Sequence, residues 1–298
     1  IRRDFSGLWV SLRPLQGLLI TGLISLPWYA AELLVEGQPF WDSFFGYHNL
    51  QRLTSVVNDH LQPWWFFGPV LVVASFPFTP LLLFGLGRVI AAFSGGASLQ
   101  RIPPRDSLAD FAGSWLLAVL LLFTAAATKL PSYWLPATPA AALLIACTAR
   151  PASLRQSKGL VIAWSCTAVL TAILAVGLLA SPVWIPLIQD PEMPTLPAEL
   201  MASGLVMRAA VCFLVALLIG LWSLRGAVKG RLLAWQGPMV LFQLIALVPM
   251  IQLGDRVRQR PVRQIAQQVV EQRRPGEPLA MIGVLKPSLH FYTDQVVV

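Results

Sequence analysis

The sequence is poor in charge. Only 12% of its 298 residues are Asp, Glu, Lys or Arg, whereas 56% are hydrophobic; soluble domains usually carry about 25% charged residues. This composition excludes a disordered chain, a coiled coil and an ordinary soluble enzyme. The three cysteines, Cys147, Cys166 and Cys212, lie within apolar runs, so no disulfide framework is expected. The composition therefore indicates an all-α polytopic membrane protein.

Several sequence motifs that are typical of particular enzyme classes are also absent. The sequence has no P-loop, no GxGxxG after a strand, no HExxH and no GxSxG, and no pair of acids within an apolar run marks a proton relay. The net charge of +8 could indicate a nucleic-acid-binding protein. However, the Lys and Arg residues form short clusters between apolar runs, which is typical of cytoplasmic membrane loops and not of a continuous basic face. No nucleic acid partner is expected.

Apolar stretches of about 20 residues predict seven transmembrane helices. They lie at roughly 14–35, 64–86, 111–128, 132–149, 159–187, 200–224 and 232–253. Twelve Lys and Arg residues fall in the connections on one side and only two in the short connections on the other side. The positive-inside rule makes the first side cytoplasmic, with the N-terminus inside and the C-terminus outside.

The chain divides at the end of the seventh predicted span. Residues 1–253 form the predicted transmembrane domain, and residues 254–298 are expected to begin a small extracytoplasmic α/β domain. In that tail, 262–272 is predicted to be an amphipathic helix, and 279–284 and the closing QVVV are predicted strands. Because the chain opens on Ile1 and closes within a predicted strand, we expect it to be an internal or C-terminal fragment of a longer protein.

The long external connection from Glu36 to Trp65 carries the first candidate residues. If residues 43–58 are helical, His48 and Arg52 lie on one face at headgroup depth. Arg binds phosphate with two parallel donors, and His can bind zinc or carry a proton. An interfacial helix with ordinary polar residues explains the same pattern.

Other residues of this connection are secondary candidates. His60 lies twelve residues after His48, a spacing that forms only a weak metal motif. No metal site is therefore predicted, although a divalent metal at His48 stays an open alternative. Trp64 and Trp65 are most simply explained as the aromatic belt of the second span.

Two further cations are candidates. Lys129 lies in the short connection TKLPSYWLP, residues 128–136, together with the hydroxyl donor Tyr133. Lys129 either faces a phosphate as a fixed cation or snorkels to the headgroups. Arg208 lies within the sixth predicted span, where a cation is costly; it either pairs with a carboxylate or a lipid phosphate, or reaches the interface.

Two motifs resemble a known family. The segment GYHNLQRLTSVVNDHLQPWWFF and the later segment TKLPSYWLPATPAAALLIA are similar to those of the family 39 glycosyltransferases, and most similar to bacterial relatives of the lipid A aminoarabinose transferase. The closing PSLHFYTDQVVV resembles the start of the external C-terminal domain of that family. The seven spans would match the later part of the family's architecture.

The resemblance implies a C-type glycosyltransferase in the bacterial inner membrane. Such an enzyme moves a sugar, with inversion, from a polyprenyl-phosphate carrier to a lipid, glycan or protein acceptor on the outer face. It implies that His48, Arg52, Lys129 and Tyr133 approach the carrier phosphate, with His60, Trp64, Trp65 and Arg208 as secondary candidates. The catalytic carboxylate would lie upstream of Ile1, so no catalytic residue is named here.

Two other functions remain open from the sequence. A polytopic transporter or flippase of lipid-linked sugars also needs many spans, although the unusual polar residues here gather on the outer face and not at the midplane. A non-catalytic homologue that binds the carrier would keep the same fold.

Overall fold

The computed structural model describes residues 7, 13–57, 61–94, 104–149, 158–225, 230–274, 277–281, 286 and 288–294. Every regular element within these ranges is a helix, and the pairing of Leu61 with Thr128 is an isolated antiparallel bridge. The chain forms two compact units. The first comprises residues 1–74 and 114–140, and the second comprises residues 75–113 and 141–298.

Among the residues that the structure describes, six helices are long and apolar enough to cross a membrane. They are Pro14–Val35, Leu108–Ala125, Pro131–Ala149, Lys158–Leu179, Leu205–Leu224 and the continuous Arg231–Gln272. Each of them coincides with a predicted span, so the polytopic, all-helical class expected from the composition is confirmed.

The second predicted span, 64–86, is not one helix, and the prediction was wrong on this point. The structure has a short helix Phe67–Ala74 and a second helix Thr79–Ser94, separated by residues 75–78. Pro77 lies in the break, and proline both lacks a backbone N–H and clashes with the preceding turn. A hydropathy-based prediction depends only on how apolar the residues of a stretch are, so it does not detect the break in the helix at residues 75–78.

Other spans also have breaks near their ends. The helix Lys158–Leu179 stops before the short helix Ser181–Trp184 and the 3₁₀ turn Ile185–Leu187, so the long predicted span 159–187 is divided. The helix Leu196–Ser203 is separated from Leu205–Leu224 by Gly204, whose φ of 63° is a left-handed conformation that glycine adopts without strain.

The last long helical element runs through the predicted domain boundary. Arg231–Phe242, the π-helical Gln243–Leu247 and Val248–Gln272 follow one another without interruption, and the predicted amphipathic helix 262–272 is the end of this element. The described part of the tail adds a helix, Ser288–Thr293. The strands predicted at 279–284 and in QVVV fall mostly on residues 282–285 and 295–298, which lie outside the described residues.

The second unit is held together by small residues where helices meet. Ala209, Ala216 and Gly220 are buried along the helix Leu205–Leu224. A Cβ added at Gly220 would lie 2.5 Å from the indole ring of Trp235, so a side chain there has no room. Helices in membranes commonly approach one another in this way, because lipid supplies no hydrophobic force between them.

Candidate functional site

The segment that carries His48 and Arg52 is an unusual helix. It begins as an α-helical turn at Gln38–Phe40, continues as a π-helix over Trp41–Gln51 and ends as an α-helical turn at Arg52–Thr54. The sequence predicts a helix over 43–58, and the structure has helix as far as Thr54. π-helical turns are rare and occur frequently at functional sites.

Aromatic contacts hold this π-helix against the helix Pro14–Val35. The ring of Tyr29 lies 5.7 Å from the rings of Phe44 and Phe45, and the ring of Phe40 stacks on Phe44 at 5.4 Å. Aromatic pairs at these separations add to the gain from area burial. These aromatic contacts fix one side of the helical segment. His48 and Arg52 face the connection after residue 125.

The connection at residues 126–130 holds the end of the helical segment through four hydrogen bonds. The N–H of Ala127 donates to the carbonyl of Leu53 at 3.0 Å, and the N–H of Thr128 donates to the carbonyl of Arg52 at 3.1 Å. The Thr128 hydroxyl donates to the carbonyl of Ser55 at 2.9 Å and accepts from the N–H of Val57 at 3.0 Å. Thr128 is fully buried.

The sequence prediction did not include Thr128 among the site residues. In the sequence Thr128 is a single hydroxyl residue between an alanine run and the KLP turn. Nothing in that pattern indicates a hydrogen-bond partner more than 70 residues away. The structure makes it the residue that fixes the backbone at Arg52 relative to the turn.

These elements enclose a cavity of about 490 Å³ within the first unit. Its polar lining comes from His48, Asn49, Arg52 and Tyr133. Its apolar lining comes from two segments of the chain, residues 45–53 and residues 122–126: Phe45, Leu50, Leu53, Leu122, Phe123 and Ala126. We call it the His48–Arg52 cavity. The structure thus brings together three of the four main residues that the resemblance implied.

Arg52 has an unsatisfied donor in this cavity. Its Nε is buried and finds no hydrogen-bond partner among the described residues. A buried polar group without a partner is costly, and a charged one more so. Arg52 is among the residues that line the cavity, and a phosphate matches the two-donor edge of a guanidinium.

Tyr133 lies opposite, on the 3₁₀ helix Pro131–Ala137. Its ring is half-buried and packs at 4.9 Å from the ring of Phe123, and its backbone N–H donates to the carbonyl of Leu130. Packing fixes the ring, so the phenol hydroxyl has a defined position in the cavity wall. A hydroxyl there can donate to an anion held by Arg52.

Lys129 is placed differently from the expectation of a cation that faces the phosphate. It is 8% exposed, its Nζ donates to the carbonyl of Ala126 at 2.8 Å, and it is not among the described residues that line the cavity. The ammonium group thus satisfies a carbonyl just beyond the helix Pro104–Ala125, where the helix dipole favours a cation. In the structure its contact is with the turn that carries Thr128.

The described secondary candidates are not among the residues that line this cavity. Trp64 and Trp65 are 77% and 55% exposed in the turn before the helix Phe67–Ala74, a position that suits an aromatic belt. His60 lies outside the described residues, and Arg208 belongs to the second unit. Within the part of the chain that the structure describes, no three His, Cys, Asp or Glu residues come together as a metal site.

The comparisons with known proteins agree with the resemblance seen in the motifs. Residues 272–298 match the family model described as the cyanobacterial RgtA-type glycosyltransferase, C-terminal domain. The chain is 32% identical over 234 residues to the undecaprenyl phosphate-alpha-4-amino-4-deoxy-L-arabinose arabinosyl transferase of Pseudomonas paraeruginosa, which covers 78% of this chain and 38% of the relative. A relative of the same name from Pseudomonas aeruginosa is 31% identical over 76% of this chain and 37% of its own length.

The fold agrees with two crystal structures of ArnT from Cupriavidus metallidurans. The apo structure gives a TM-score of 0.64 at 24% identity and covers 99% of this chain and 49% of that one. The structure bound to undecaprenyl phosphate gives a TM-score of 0.58 at 24% identity and covers 98% of this chain and 49% of that one. The chain therefore spans less than half the length of the relatives and structures it matches.

Proposed function

We propose that this chain, a member of the glycosyltransferase family that includes the undecaprenyl phosphate aminoarabinose transferases, serves to transfer a sugar from a polyprenyl-phosphate carrier to an acceptor on the outer face of the membrane. The observation that carries the proposal is the grouping of Arg52 with His48 and Tyr133 in the lining of one cavity that also has an apolar wall. We propose that this cavity binds the carrier phosphate.

The polar wall suits the chemistry of such a carrier. When the sugar leaves, negative charge builds up on the phosphate oxygen that carried it. Donors already aimed at that oxygen stabilise the charge without having to reorganise. Arg52 offers its guanidinium edge, Tyr133 its phenol hydroxyl and His48 an imidazole that can hold a proton.

The apolar wall suits the isoprenoid part of the carrier. Leu50, Leu53 and Leu122 line the cavity beside the polar residues. A cavity with both kinds of wall can hold an ionic head and the first apolar units of its chain together. The crystal structure of ArnT bound to undecaprenyl phosphate, which shares the fold, supports this choice of ligand.

No catalytic base is assigned. The residues that line the cavity within the described part of the chain include no carboxylate, and Asp42 is exposed and accepts a hydrogen bond from Gln38. The residues named here therefore bind and neutralise the leaving phosphate, while deprotonation of the acceptor falls to another group. We keep the acceptor class open: a lipid, a glycan or a protein.

The orientation in the membrane completes the proposal. Twelve Lys and Arg residues fall on one side of the predicted spans and two on the other, which places the His48–Arg52 cavity outside the cytoplasm. The tail after residue 253 would then lie on the same outer side. The relatives are named as transferases, so the comparisons favour a transferase over the flippase that the sequence left open.

Binding of undecaprenyl phosphate by the full-length protein tests the site. We expect Arg52→Ala to weaken binding ~10–100-fold, because the variant loses a charge-assisted contact with the phosphate. Arg225→Ala is the matched control, since Arg225 is an exposed arginine at the end of the helix Leu205–Leu224 and should leave affinity unchanged. Equal affinity of Arg52→Ala and wild type would refute the assignment of the carrier phosphate.

A second measurement separates transfer from mere binding. Membranes that contain the full-length protein are given a radiolabelled polyprenyl-phosphate-linked aminoarabinose and a lipid A acceptor, and the label that moves to the acceptor is counted. A transferase moves the label, and Arg52→Ala slows the transfer. Tight carrier binding with no transfer to any lipid, glycan or protein fraction would instead identify a carrier-binding homologue.

A further inference from the structure

A second cavity, of about 430 Å³, lies wholly within the second unit. It is a groove between the helix Leu205–Leu224 and the continuous element that begins at Arg231. The residues that line it are apolar or small apart from one cation: Gly204, Met207, Arg208, Val211, Cys212, Val215, Pro238, Leu241 and Ile245. We call it the Arg208 groove.

The groove opens towards the surroundings of the helix bundle. Five of its apolar side chains are between 37% and 50% exposed: Met207, Val211, Val215, Leu241 and Ile245. In a chain whose long helices cross a membrane, apolar side chains exposed on a span face lipid. The groove can therefore accommodate the hydrocarbon chain of a lipid.

Arg208 is the exception in this lining. Its side chain is exposed and makes no hydrogen bond or ion pair with the described residues. It stands three residues after Leu205, the first residue of the helix Leu205–Leu224, so it lies about 4.5 Å along the axis from the start of the helix. An arginine so close to the end of a membrane-spanning helix can reach the headgroup region and meet lipid phosphate.

The start of the same helix adds to this positive charge. Gly204 precedes the helix and has no side chain, and the N–H of Leu205 donates to the hydroxyl of Ser203 at 3.3 Å. The N–H groups of this first turn carry the positive end of the helix dipole, one turn from Arg208. Cation, helix end and apolar groove lie next to one another in the sequence and in the fold.

We propose that the Arg208 groove binds one anionic phospholipid of the bilayer, with its phosphate at Arg208 and an acyl chain along Val211, Val215 and Leu241. Among the described residues that line the groove, no other side chain is charged and none has a hydroxyl that could complete the shell of a free phosphate. An ion without a hydrocarbon chain would leave the apolar walls unused. This site is separate from the carrier site and does not depend on the proposed transfer reaction.

Lipid retention by the full-length protein in nanodiscs tests the proposal. The discs contain phosphatidylglycerol and phosphatidylcholine in equal amounts, and native mass spectrometry counts the lipids that stay bound after the disc is removed. We expect wild type to retain phosphatidylglycerol in preference to phosphatidylcholine. Arg208→Gln should lower the apparent affinity for phosphatidylglycerol about tenfold.

A steric variant tests the apolar half of the site with the charge intact. Val211→Trp places an indole in the groove and should reduce retention of phosphatidylglycerol to a similar extent. The matched controls are Arg225→Gln, which removes a cation from the other end of the same helix, and Leu214→Trp, at a position of the same helix that is 37% exposed and outside the lining. Both controls should bind lipid as wild type does.

Any of three results would overturn the proposal. The first is equal retention of phosphatidylglycerol by wild type and Arg208→Gln, and the second is equal retention of the anionic and the zwitterionic lipid by wild type. Loss of retention in Arg208→Gln but not in Val211→Trp would also overturn it, because a headgroup contact alone does not need the groove. Thermal unfolding of each variant in detergent confirms that the protein is folded.

Discussion

The N–H of Thr128 donates to the carbonyl of Arg52 at 3.1 Å, so the turn at residues 126–130 holds the backbone of the residue whose side chain enters the cavity. The Thr128 hydroxyl extends this link to Ser55 and Val57. Two segments more than 70 residues apart are thereby joined at one fully buried side chain. The position of the Arg52 guanidinium depends on this turn and not only on its own helix.

Replacement of the Thr128 hydroxyl should therefore affect both stability and binding. Thr128→Val keeps the shape but leaves the carbonyl of Ser55 and the N–H of Val57 without their partner. We expect a loss of about 1–3 kcal/mol in the free energy of unfolding, together with weaker binding of undecaprenyl phosphate. Thermal unfolding and ligand titration of the full-length protein measure the two effects.

Two variants control this experiment. Thr128→Ser restores the hydroxyl and should recover both stability and affinity. Thr171→Val removes another buried hydroxyl, but that hydroxyl donates only to the carbonyl of Thr167 within its own helix, so the effect should be smaller. If Thr171→Val cost as much as Thr128→Val, the link to residues 52–57 would have no special importance.

Tyr133→Phe isolates the phenol hydroxyl at the His48–Arg52 cavity. The ring contact with Phe123 at 4.9 Å is retained, so stability should stay within about 0.5 kcal/mol of wild type. We expect the affinity for undecaprenyl phosphate to fall ~10–100-fold, the worth of one hydrogen bond to a charged group. An unchanged affinity in a titration would show that the hydroxyl does not reach the phosphate.

The spans could be predicted from the sequence because their signal is compositional. Six of the seven predicted spans coincide with helices long enough to cross a membrane, since a run of about 20 apolar residues needs no tertiary context. The break at residues 75–78 could not be predicted with the same ease, because a proline in a span either kinks the helix or ends it according to its neighbours.

The site was only partly predictable for a related reason. His48, Arg52 and Tyr133 carry their chemistry in their side chains, so spacing and resemblance could suggest them; the structure places all three in the lining of one cavity, and their role at a phosphate stays a prediction. Thr128 acts through backbone groups of a distant segment, and the π-helix at Trp41–Gln51 is a backbone feature without a distinct residue pattern. Lys129 has the right charge, but its contact with the Ala126 carbonyl depends on the geometry of the turn.

Gly220→Ala tests the close approach of two helices in the second unit. The added Cβ would lie 2.5–2.7 Å from the indole of Trp235, which is fully buried and cannot move aside without displacing its neighbours. We expect a loss of about 1–3 kcal/mol in the free energy of unfolding. Gly237→Ala is the control, because a Cβ there has nothing within 4 Å. Equal thermal stability of both variants would contradict the packing argument.

The ion pair between Glu192 and Lys286 should make one contact of the second unit sensitive to pH. The carboxylate of Glu192 lies 2.7 Å from the Lys286 Nζ and 3.4 Å from Arg258. The hydrogen bond and charge of Lys286, followed by the charge of Arg258, hold the pKa of Glu192 below its usual value. Since the folded pKa is lowered, the attraction is present above the ordinary pKa of a glutamate and is lost as the pH falls through the lowered value.

Spin labels at Thr195 and Phe291 report this contact through their separation. We expect a narrow distance distribution at pH 7 that broadens once the pH has fallen through the lowered pKa of Glu192. In Glu192→Gln the distribution should be broad at both values of pH, whereas Asp255→Asn, which removes only the exposed pair with Arg263, should behave as wild type. High salt should broaden the wild-type distribution as well, because both partners are partly exposed.

Cysteine labelling tests the orientation on which the proposed function relies. Single cysteines are introduced into a background in which Cys147, Cys166 and Cys212 are replaced, and intact cells are treated with a membrane-impermeant maleimide. Gln38→Cys and Thr195→Cys should react, because both positions are exposed and lie in connections that the positive-inside rule places outside. Ser98→Cys and Ser157→Cys lie in the cation-rich connections and should react only after the cells are opened. Labelling of positions 98 and 157 in intact cells would reverse the topology and move the His48–Arg52 cavity to the cytoplasmic face, where a sugar could not be delivered to an external acceptor.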